Sequence, residues 1–315
     1  MPRSATVETL REFHGRGMNT LSDVYKLPAD LPEFDRLNSQ HRIWTRVMNG
    51  LCPLPVREID ELLKPREDGK QAAILDLGCG SGIWSMQMAS LYPQARVVGF
   101  DLIEPKPSSR LPNCSFIQGD VTKGLQRFKG QFNIVHLRTL IIHVAKEARR
   151  RAILDAIDCL KPGGLIIFAE YDEPKVDEYK QLLLPASDEQ DAPPHSWFMR
   201  YMTEAFQHKA KTDLRYVIQK ILSESDKLRK ETIQTSLYHV PVGWDGGNGE
   251  NGRAVGEMMR ANLRDLIRTF RPSLLDRGVP YEVTDRWITK ADKELDGSED
   301  LRILVVLYAT WARKL

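Results

Sequence analysis

A short apolar segment that breaks into alternating glycines constrains the fold of this chain most strongly. Residues 74–82 read ILDLGCGSG, and a second apolar segment, residues 97–101, reads VVGFD and ends at Asp101. Because glycine lets the backbone turn sharply and approach a ligand closely, the first segment predicts a strand that ends in a tight turn. In doubly wound sheets, an acid at the carboxyl end of the second strand meets the ribose hydroxyls of an adenosine. The two segments together predict a site for a nucleoside-containing cofactor.

The spacing of the glycines narrows the choice of cofactor. The dinucleotide fingerprint Gly-x-Gly-x-x-Gly requires a third glycine for close helix packing and a helix N-terminus that is free for the pyrophosphate. Here Ile83 stands at the third position, and Asp76 precedes the glycines with a carboxylate that would repel a pyrophosphate. Asp76 could instead orient an ammonium group. S-adenosylmethionine, with its adenosine, sulfonium and amino acid tail, fits this pattern better than the alternative, a nicotinamide or flavin dinucleotide.

Length and composition limit the class of protein. The 315 residues exceed a usual single domain and predict one domain with a large insertion, or one and a half domains. The 45 Lys and Arg residues nearly balance the 43 Asp and Glu residues, so no nucleic-acid partner is indicated. The widely spaced cysteines include no Cys-x-x-Cys pair, which argues against a structural zinc site and a secreted disulfide framework. They are Cys52, Cys79, Cys114 and Cys159.

Targeting and membrane signals are weak. The first residues lack the apolar core of a secretory signal, and the longest uninterrupted apolar segment, residues 303–309, is far shorter than a membrane span. We therefore expect a cytoplasmic protein, with the nucleus as an alternative, and no membrane partner.

Strand and helix signals alternate between residues 73 and 170 as a parallel sheet requires. Five strands are predicted, at 73–77, 96–100, 114–118, 132–137 and 165–169. A crossover helix, with apolar residues at helical spacing between 152 and 160, is predicted before the fifth strand and ends at the sequence KPGG of residues 161–164. Two further strands, 234–240 and 303–310, are predicted to close the sheet as an antiparallel edge.

The rest of the chain is predicted to cover this sheet. We expect a helical N-terminal lid over residues 1–70, a Rossmann-like cofactor-binding core over 71–171 and a helical insertion over 172–230 that caps the substrate. Residues 231–315 complete the sheet and include a second helical insertion at 252–298. Each insertion carries an apolar stripe at helical spacing, which either packs against the sheet or lines a substrate pocket.

Further motifs extend the pattern of the glycine loop and Asp101. They are Gly119-Asp120-Val121, residues 132–138 (FNIVHLR) and residues 160–164 (LKPGG). With these motifs the chain resembles the class I S-adenosylmethionine-dependent methyltransferases. More narrowly, it is similar to the LaeA-like fungal group, and this likeness rests on residues 33–41 (EFDRLNSQH), on Gly82-Ile83-Trp84, and on His136 with Arg138.

The resemblance implies an α/β fold with a seven-stranded sheet in the order 3-2-1-4-5-7-6. It implies S-adenosyl-L-methionine as the cofactor and S-adenosyl-L-homocysteine as its product. Asp101 would hold the ribose hydroxyls, Leu102 would pack on the adenine face, and Asp120 with Val121 would meet the adenine. An acid at position 120 suits the adenine amine, which is a donor, although Asp120 could also be a turn residue. Gly78, Gly80 and Asp76 would line the methionine end of the cofactor. The other residues expected around it are Cys79 and His136, with Arg36 and His41 in a lid.

Cys79 departs from the family, because many members have another small residue there. A buried thiol between glycines behaves as a small apolar side chain, so Cys79 is given no reactive role.

Methyl transfer from a sulfonium is driven by the cofactor, so the protein mainly positions the acceptor and excludes water. A carboxylate acceptor needs no base, whereas a histidine would help a phenol or an alcohol. His143, just past the fourth strand, is the candidate base, and its alternative is a packing role. Glu170, at the end of the fifth strand, either hydrogen-bonds the acceptor or is a solvated residue. The residues predicted to line the substrate pocket are Tyr171, His195, Trp197 and Tyr201.

Three functions stay open at this point. The first is O-methylation, or N-methylation, of a small molecule in fungal secondary metabolism, with an enclosed apolar pocket for the acceptor. The second is a regulatory member of the same group that works with a protein partner, and the third is a non-methylating member that keeps the cofactor for another reaction. Residues 139–143 (TLIIH) contain neither an Asn-Pro-Pro-Tyr signature nor a recognisable set of metal ligands. We therefore favour O-methylation of a small molecule without a metal.

Overall fold

The computed structural model describes residues 10–21, 25, 27–65, 69, 71–105, 111–172, 175–206, 213–297 and 301–315. Within these residues, the strands are β1 (Leu10–Phe13), β2 (Arg16–Asn19), β3 (Ala73–Leu77), β4 (Arg96–Asp101), β5 (Cys114–Gln118), β6 (Phe132–Arg138), β7 (Leu160–Tyr171), β8 (Val176–Asp177), β9 (Leu184–Pro185), β10 (His195–Ser196), β11 (Gln234–Pro241) and β12 (Ile303–Arg313). The α-helices are α1 (Leu31–Val47), α2 (Val56–Leu63), α3 (Ile83–Leu91), α4 (Lys146–Asp158), α5 (Trp197–Phe206), α6 (Leu214–Glu224), α7 (Gly249–Asp276) and α8 (Tyr281–Leu295).

One central sheet has the strand order β11-β12-β7-β6-β3-β4-β5. The five strands from β7 to β5 are parallel to their neighbours, and β12 runs antiparallel to both β7 and β11. In the numbering of the predicted sheet this order is 6-7-5-4-1-2-3, which is the expected order read from the opposite edge. The predicted fold class, strand order and antiparallel edge are therefore confirmed. The short strand β8 extends the sheet beside the start of β12.

The central strands are apolar on both faces because helices cover both faces. Leu75 pairs with Val98 and Val135, and this face packs against α4 and α6. The neighbouring residue of β3, Ile74, pairs with Val97 and Ile134 on the opposite face, which α2 and α3 cover. The alternation of side chains along a strand thus assigns one core to each side of the sheet.

The N-terminal segment is helical only from α1 onwards. The expectation of a helical segment over 1–70 is wrong for residues 10–19, where β1 and β2 form an antiparallel hairpin. The turn is made by His14 and Gly15, both with positive φ, and Arg16 ties the hairpin to Asp30 at 2.7 Å between Nε and Oδ2. Asp30 also accepts from the Glu33 N–H and so caps α1. Residues 1–9 of the predicted lid lie outside the described residues.

A second difference concerns the start of β7. The predicted helix end at 161–164 is instead part of the strand, because α4 ends at Asp158 and Leu160 already pairs with Phe132. The pairing of β6 with β7 is irregular between Phe132 and Ile134. Proline and glycine are tolerated at such an irregular strand start, which explains why these residues resembled a helix end in the sequence.

Helices α1, α5, α7 and α8 pack together over β12 and the end of β7. Their shared core includes Trp44 of α1, Phe198 of α5 and Ile267 of α7, together with Val305 and Leu307 of β12. Both apolar stripes predicted in the insertions lie in this core, in α5 and α7. Among the described residues, no helix combines the length and apolar character needed to cross a bilayer.

Candidate functional site

A cleft of about 400 Å³ lies at the carboxyl ends of β3, β4 and β6. In the sheet, β3 lies between β4 and β6, so the chain adds strands first on one side of β3 and then on the other. Open α/β sheets bind ligands in the crevice that forms at such a reversal of strand order. The volume lies within the range of about 300–1,000 Å³ that is usual for small-molecule sites. We refer to it as the large cleft, and its lining includes Arg36, Gly78, Cys79, Gly80, Asp101, Leu102, Asp120, Val121, Arg138, Thr139 and His143.

The glycine loop forms one wall of the large cleft. Gly78 and Gly80 have φ values of +68° and +55°, a region that favours glycine. A Cβ atom on Gly78 would lie 2.8 Å from the Leu140 side chain, so the loop has no room for one. The Gly78 N–H donates to the Phe100 carbonyl at 2.8 Å, which joins the loop to the end of β4. A ligand in the cleft can therefore approach bare backbone.

Asp101 stands beside this loop at the end of β4. Its carboxylate accepts from the Gly80 N–H at 2.8 Å and from the Ile103 N–H at 3.2 Å. Burial raises the pKa of Asp101 to about 6, although these two donors favour the charged form. A carboxylate offers about four acceptor sites, so Asp101 retains capacity for two hydroxyl donors.

The lining of the large cleft also includes Leu102, Asp120 and Val121. Asp120 accepts from the Thr122 N–H at 2.8 Å and from the Thr122 hydroxyl at 2.7 Å through the same oxygen, Oδ1. The turn role considered for Asp120 is therefore present. Its other oxygen, Oδ2, lies 4.0 Å from Lys123 Nζ and keeps acceptor sites that a ligand can use. The residues expected at the ribose and the adenine thus meet in one cleft.

Asp76 and His136 lie behind the glycine loop and do not belong to the described lining of the large cleft. Both are buried, and His136 Nδ1 donates to Asp76 at 2.8 Å. Asp76 also accepts from the Ser85 hydroxyl at 2.6 Å, and the His136 ring stacks on Trp84 with 3.8 Å between centroids. The buried carboxylate of Asp76 thus has partners within the protein, and the expected contact of Asp76 and His136 with the cofactor stays a prediction. The pair joins β3, β6 and α3 beneath the loop.

The two lid residues predicted in α1 have different surroundings. Arg36 lines the large cleft, but its guanidinium is engaged by both Glu33 oxygens, at 2.8 and 2.6 Å, and by Asn262 at 3.1 Å. His41 is buried behind Arg138 and accepts from Arg138 Nη1 at 3.0 Å through Nδ1. Arg138 itself lines the cleft. It was noted in the sequence only as part of a family motif, and no binding role was predicted for it.

A smaller cavity of about 90 Å³ adjoins the large cleft, and we refer to it as the apolar cavity. The two spaces share Leu27, Arg36, Gln40, Thr139 and His143. The remaining wall comes mainly from the insertions, with Phe198, Met199, Met202 and Phe206 of α5, Leu263 and Leu266 of α7, and Tyr171 at the end of β7. The Thr139 hydroxyl is buried and has no hydrogen-bond partner among the described residues. A mainly apolar ligand with a polar group facing the large cleft suits this cavity.

His143 lies where the two spaces meet, in a 3-10 turn formed by Ile141–His143. Its ring packs edge-on against Tyr25, with 5.2 Å between centroids. Burial lowers the pKa of His143 to about 4, and the positive charges of Arg36 and Arg149 act in the same direction. The imidazole is therefore neutral at physiological pH and has a free nitrogen lone pair, but a pKa this low also makes it a weak base.

Glu170 supports the turn that contains His143. The side chain is fully buried, and its Oε1 accepts from the Leu140 N–H at 2.9 Å and from the Ile141 N–H at 2.8 Å. Burial raises the pKa of Glu170 to about 8. Glu170 lines neither of the two spaces. It is thus neither solvated nor placed against an acceptor, as the sequence suggested, but holds the backbone that positions His143.

Three of the four residues predicted for the substrate pocket lie outside the apolar cavity. His195 belongs to β10, Trp197 packs under Lys290 with 3.8 Å from Nζ to the ring centroid, and Tyr201 donates to the Ile267 carbonyl. Successive residues of a helix point about 100° apart, so the stripe of α5 was recognised but its orientation was not. Its cavity side is formed by Phe198 and Met202, and only Tyr171 lines the cavity as expected.

Comparisons with known proteins find a matching family and several similar chains. Residues 74–164 match a family described as a methyltransferase domain. The chain is 34% identical to the secondary metabolism regulator laeA of Coprinopsis cinerea, over 92% of this chain and 70% of the relative. It is 23% identical to the N-methyltransferase verN of Clonostachys rogersoniana, over 98% and 99% of the two chains. Identity to the methyltransferase pytC of Aspergillus terreus is 27%, over 86% and 77%.

Proposed function

Because the chain belongs to the LaeA-like group of class I S-adenosylmethionine-dependent methyltransferases, we propose that it methylates a small, largely apolar molecule at an oxygen atom. The acceptor would occupy the apolar cavity, and the cofactor would occupy the large cleft. The observation that supports this division is the position of the neutral His143 at the junction of the two spaces.

The residues of the large cleft fit S-adenosylmethionine. Gly78 and Gly80 leave no side chain between the ligand and the loop, and Asp101 has free acceptor sites for two ribose hydroxyls. Leu102 and Val121 offer apolar surface for an adenine ring. When bound, the cofactor supplies a methyl group on a positively charged sulfur, which an oxygen nucleophile can attack.

The protein would position the acceptor, shield it from water and supply a proton acceptor. The apolar side chains of Phe198, Met202 and Leu263, which line the cavity, would exclude water from the acceptor. A nitrogen of the His143 imidazole would take the proton from an acceptor hydroxyl as the new bond to carbon forms. Glu170 would act through His143, since it fixes the turn on which the imidazole is placed.

Two alternatives are supported by the names of relatives. An N-methyltransferase shares nearly the full length of the chain, so a nitrogen acceptor is the alternative for the reaction. The relative at 34% identity is a regulator of secondary metabolism, so a protein-dependent regulatory role is the second candidate function. Methylation by the purified chain alone distinguishes a small-molecule enzyme from a protein that requires a partner.

The proposal is tested with purified chain, S-adenosylmethionine and a panel of small phenols, alcohols, carboxylic acids and amines. Product is identified by mass spectrometry, and release of S-adenosylhomocysteine gives the rate. We expect turnover of a phenol or alcohol, reduced about 100-fold or more by His143→Gln. A carboxylic acid that is also turned over is the internal control, because it needs no base. Methylation of amines alone, or of no small molecule, would refute O-methylation.

A further inference from the structure

Arg138 is a charged group in the large cleft for which the proposed chemistry gives no role. It ends β6 and lines the cleft together with Gly78 and Thr139. Its guanidinium donates to His41 Nδ1 at 3.0 Å, and the described residues place no carboxylate oxygen within 4.0 Å of it. Burial lowers the pKa of Arg138 to about 10, which leaves it charged at neutral pH.

Unlike Arg36, Arg138 has no carboxylate in direct contact with its guanidinium among the described residues, and the attraction of Asp76 acts on it only from a distance. Arg36 and Arg138 are the cationic arginines in the described lining of the cleft. Both oxygens of Glu33 accept from Arg36, at 2.8 and 2.6 Å, whereas the hydrogen bond described for Arg138 is to the neutral imidazole of His41. Arg138 is only partly buried, so its guanidinium can meet a ligand in the cleft. A guanidinium pairs best with a planar carboxylate in a bidentate arrangement. The cleft therefore favours a ligand that brings its own carboxylate to Arg138.

The order of the strands places this cation at the correct end of the cofactor. Asp101 ends β4 and Arg138 ends β6, with β3 between them. Neighbouring strands are about 4.8 Å apart, so the two strand ends are separated by about 10 Å. That separation is comparable with the distance from a ribose to the carboxylate of an extended amino acid tail.

We propose that Arg138 binds the carboxylate of the amino acid tail of S-adenosylmethionine, and that His41 and Gln87 orient its guanidinium. This inference rests on the cofactor assigned above, but not on the acceptor or on the oxygen chemistry. It assigns to α1 and α3, which contain His41 and Gln87, a part in recognising the cofactor.

The hydrogen bonds of His41 define its tautomer. Arginine can only donate, so Nδ1 of His41 accepts from Arg138, and Nε2 must carry the proton that it donates to Gln87 Oε1 at 2.9 Å. Burial and the charge of Arg138 lower the pKa of His41 to about 4, which keeps the ring neutral. His41 is therefore a positioning residue that holds the guanidinium without cancelling its charge.

The test compares two ligands that differ only in the carboxylate. Binding of S-adenosylmethionine and of decarboxylated S-adenosylmethionine to the purified chain is measured by isothermal titration calorimetry, with no acceptor present. We expect the original chain to prefer the carboxylated ligand by about 10- to 100-fold, the range given by hydrogen bonds to a charged group. Arg138→Gln should remove this preference, and Gln87→Leu should reduce it.

Controls separate recognition from structural damage. Asp101→Ala removes contacts that both ligands share, so it should weaken both while preserving their ratio. Thermal unfolding of each variant reports its stability. If Arg138→Gln does not fold, Arg138→Lys takes its place in the test. This variant keeps the charge but loses the planar fork, so the ratio of its affinities for the two ligands should be intermediate. Equal binding of the two ligands by the original chain, or an unchanged ratio in the Arg138 variants, would overturn this inference alone. Binding of neither ligand would overturn the cofactor assignment as well.

Discussion

Replacing Asp101 by alanine tests the ribose contact on which the cofactor assignment depends. Two acceptor sites of the carboxylate are used by the Gly80 and Ile103 N–H groups, which leaves two for the ribose hydroxyls. Because a hydrogen bond contributes about 0.5–1.5 kcal/mol net, two lost bonds should weaken binding by about 1–3 kcal/mol. This corresponds to a rise in the dissociation constant of about 5- to 150-fold.

The pH dependence of binding gives a second signature of the same carboxylate. The pKa of Asp101 is raised to about 6 in the unliganded chain, and only the deprotonated form accepts from both hydroxyls. The affinity should therefore be full above pH 6 and fall as the pH drops through 6, by about tenfold at pH 5. His41 and His143, with pKa values of about 4, do not titrate in this window.

Calorimetric titration with S-adenosylhomocysteine between pH 5 and pH 7 measures both effects. The original chain should show the decline in affinity at low pH, whereas Asp101→Ala should bind weakly with little dependence on pH. Adenosine and 2′,3′-dideoxyadenosine are matched probes, because only the first should lose affinity when Asp101 is replaced. If the variant binds S-adenosylhomocysteine as tightly as the original chain, or keeps the same pH dependence, Asp101 is not the ribose acid.

Two further substitutions test the supports of the site. The folded-state pKa of Glu170 is raised from 4.5 to about 8, so its protonated form stabilises the fold below pH 4.5 and this stability is lost as the pH rises through 8. The free energy of unfolding is measured by urea denaturation at pH values between 4.5 and 8. As the pH rises, that of the original chain should fall by up to about 1.4 kcal/mol per pH unit relative to that of Glu170→Gln. If the two proteins show the same dependence on pH, this expectation is contradicted. Gly78→Ala and Gly130→Ala both replace glycine at φ +68°, but only the Cβ at 78 meets a neighbour, Leu140 at 2.8 Å. Both substitutions should lower the free energy of unfolding by about 1–2 kcal/mol. Only Gly78→Ala should also weaken binding of S-adenosylhomocysteine. If the two variants bind it equally tightly, the ligand does not approach the loop closely.

The sheet could be predicted from the sequence because its signals are local. The glycine loop requires positive φ values, and the acid that ends β4 is only about twenty positions further along the chain. Alternating apolar and helical segments then define a parallel sheet. The β1–β2 hairpin was missed because its strands are only four residues long and partly exposed, which gives a weak apolar pattern.

The supports of the site could not be predicted, because they join residues that are distant in the sequence. Arg138 meets His41 from 97 positions away, and Glu170 meets the backbone of Leu140 and Ile141 about 30 positions away. Asp76 was expected beside the cofactor, and its hydrogen bond to His136 on the neighbouring strand could not be read from the sequence. In each case the sequence indicates a residue type that needs a partner, while only the packed fold shows which partner it has.

The division of the site between two parts of the chain has an evolutionary consequence. Gly78, Asp101 and Arg138 come from the sheet, whereas Phe198 and Met202 come from a helix inserted between its strands. Mutations in the inserted helices can thus alter the accepted compounds while leaving the donor machinery intact, and flexible methionines widen the range of shapes that each variant tolerates. Descendants of one ancestral scaffold are therefore expected to diverge fastest along α5 and α7.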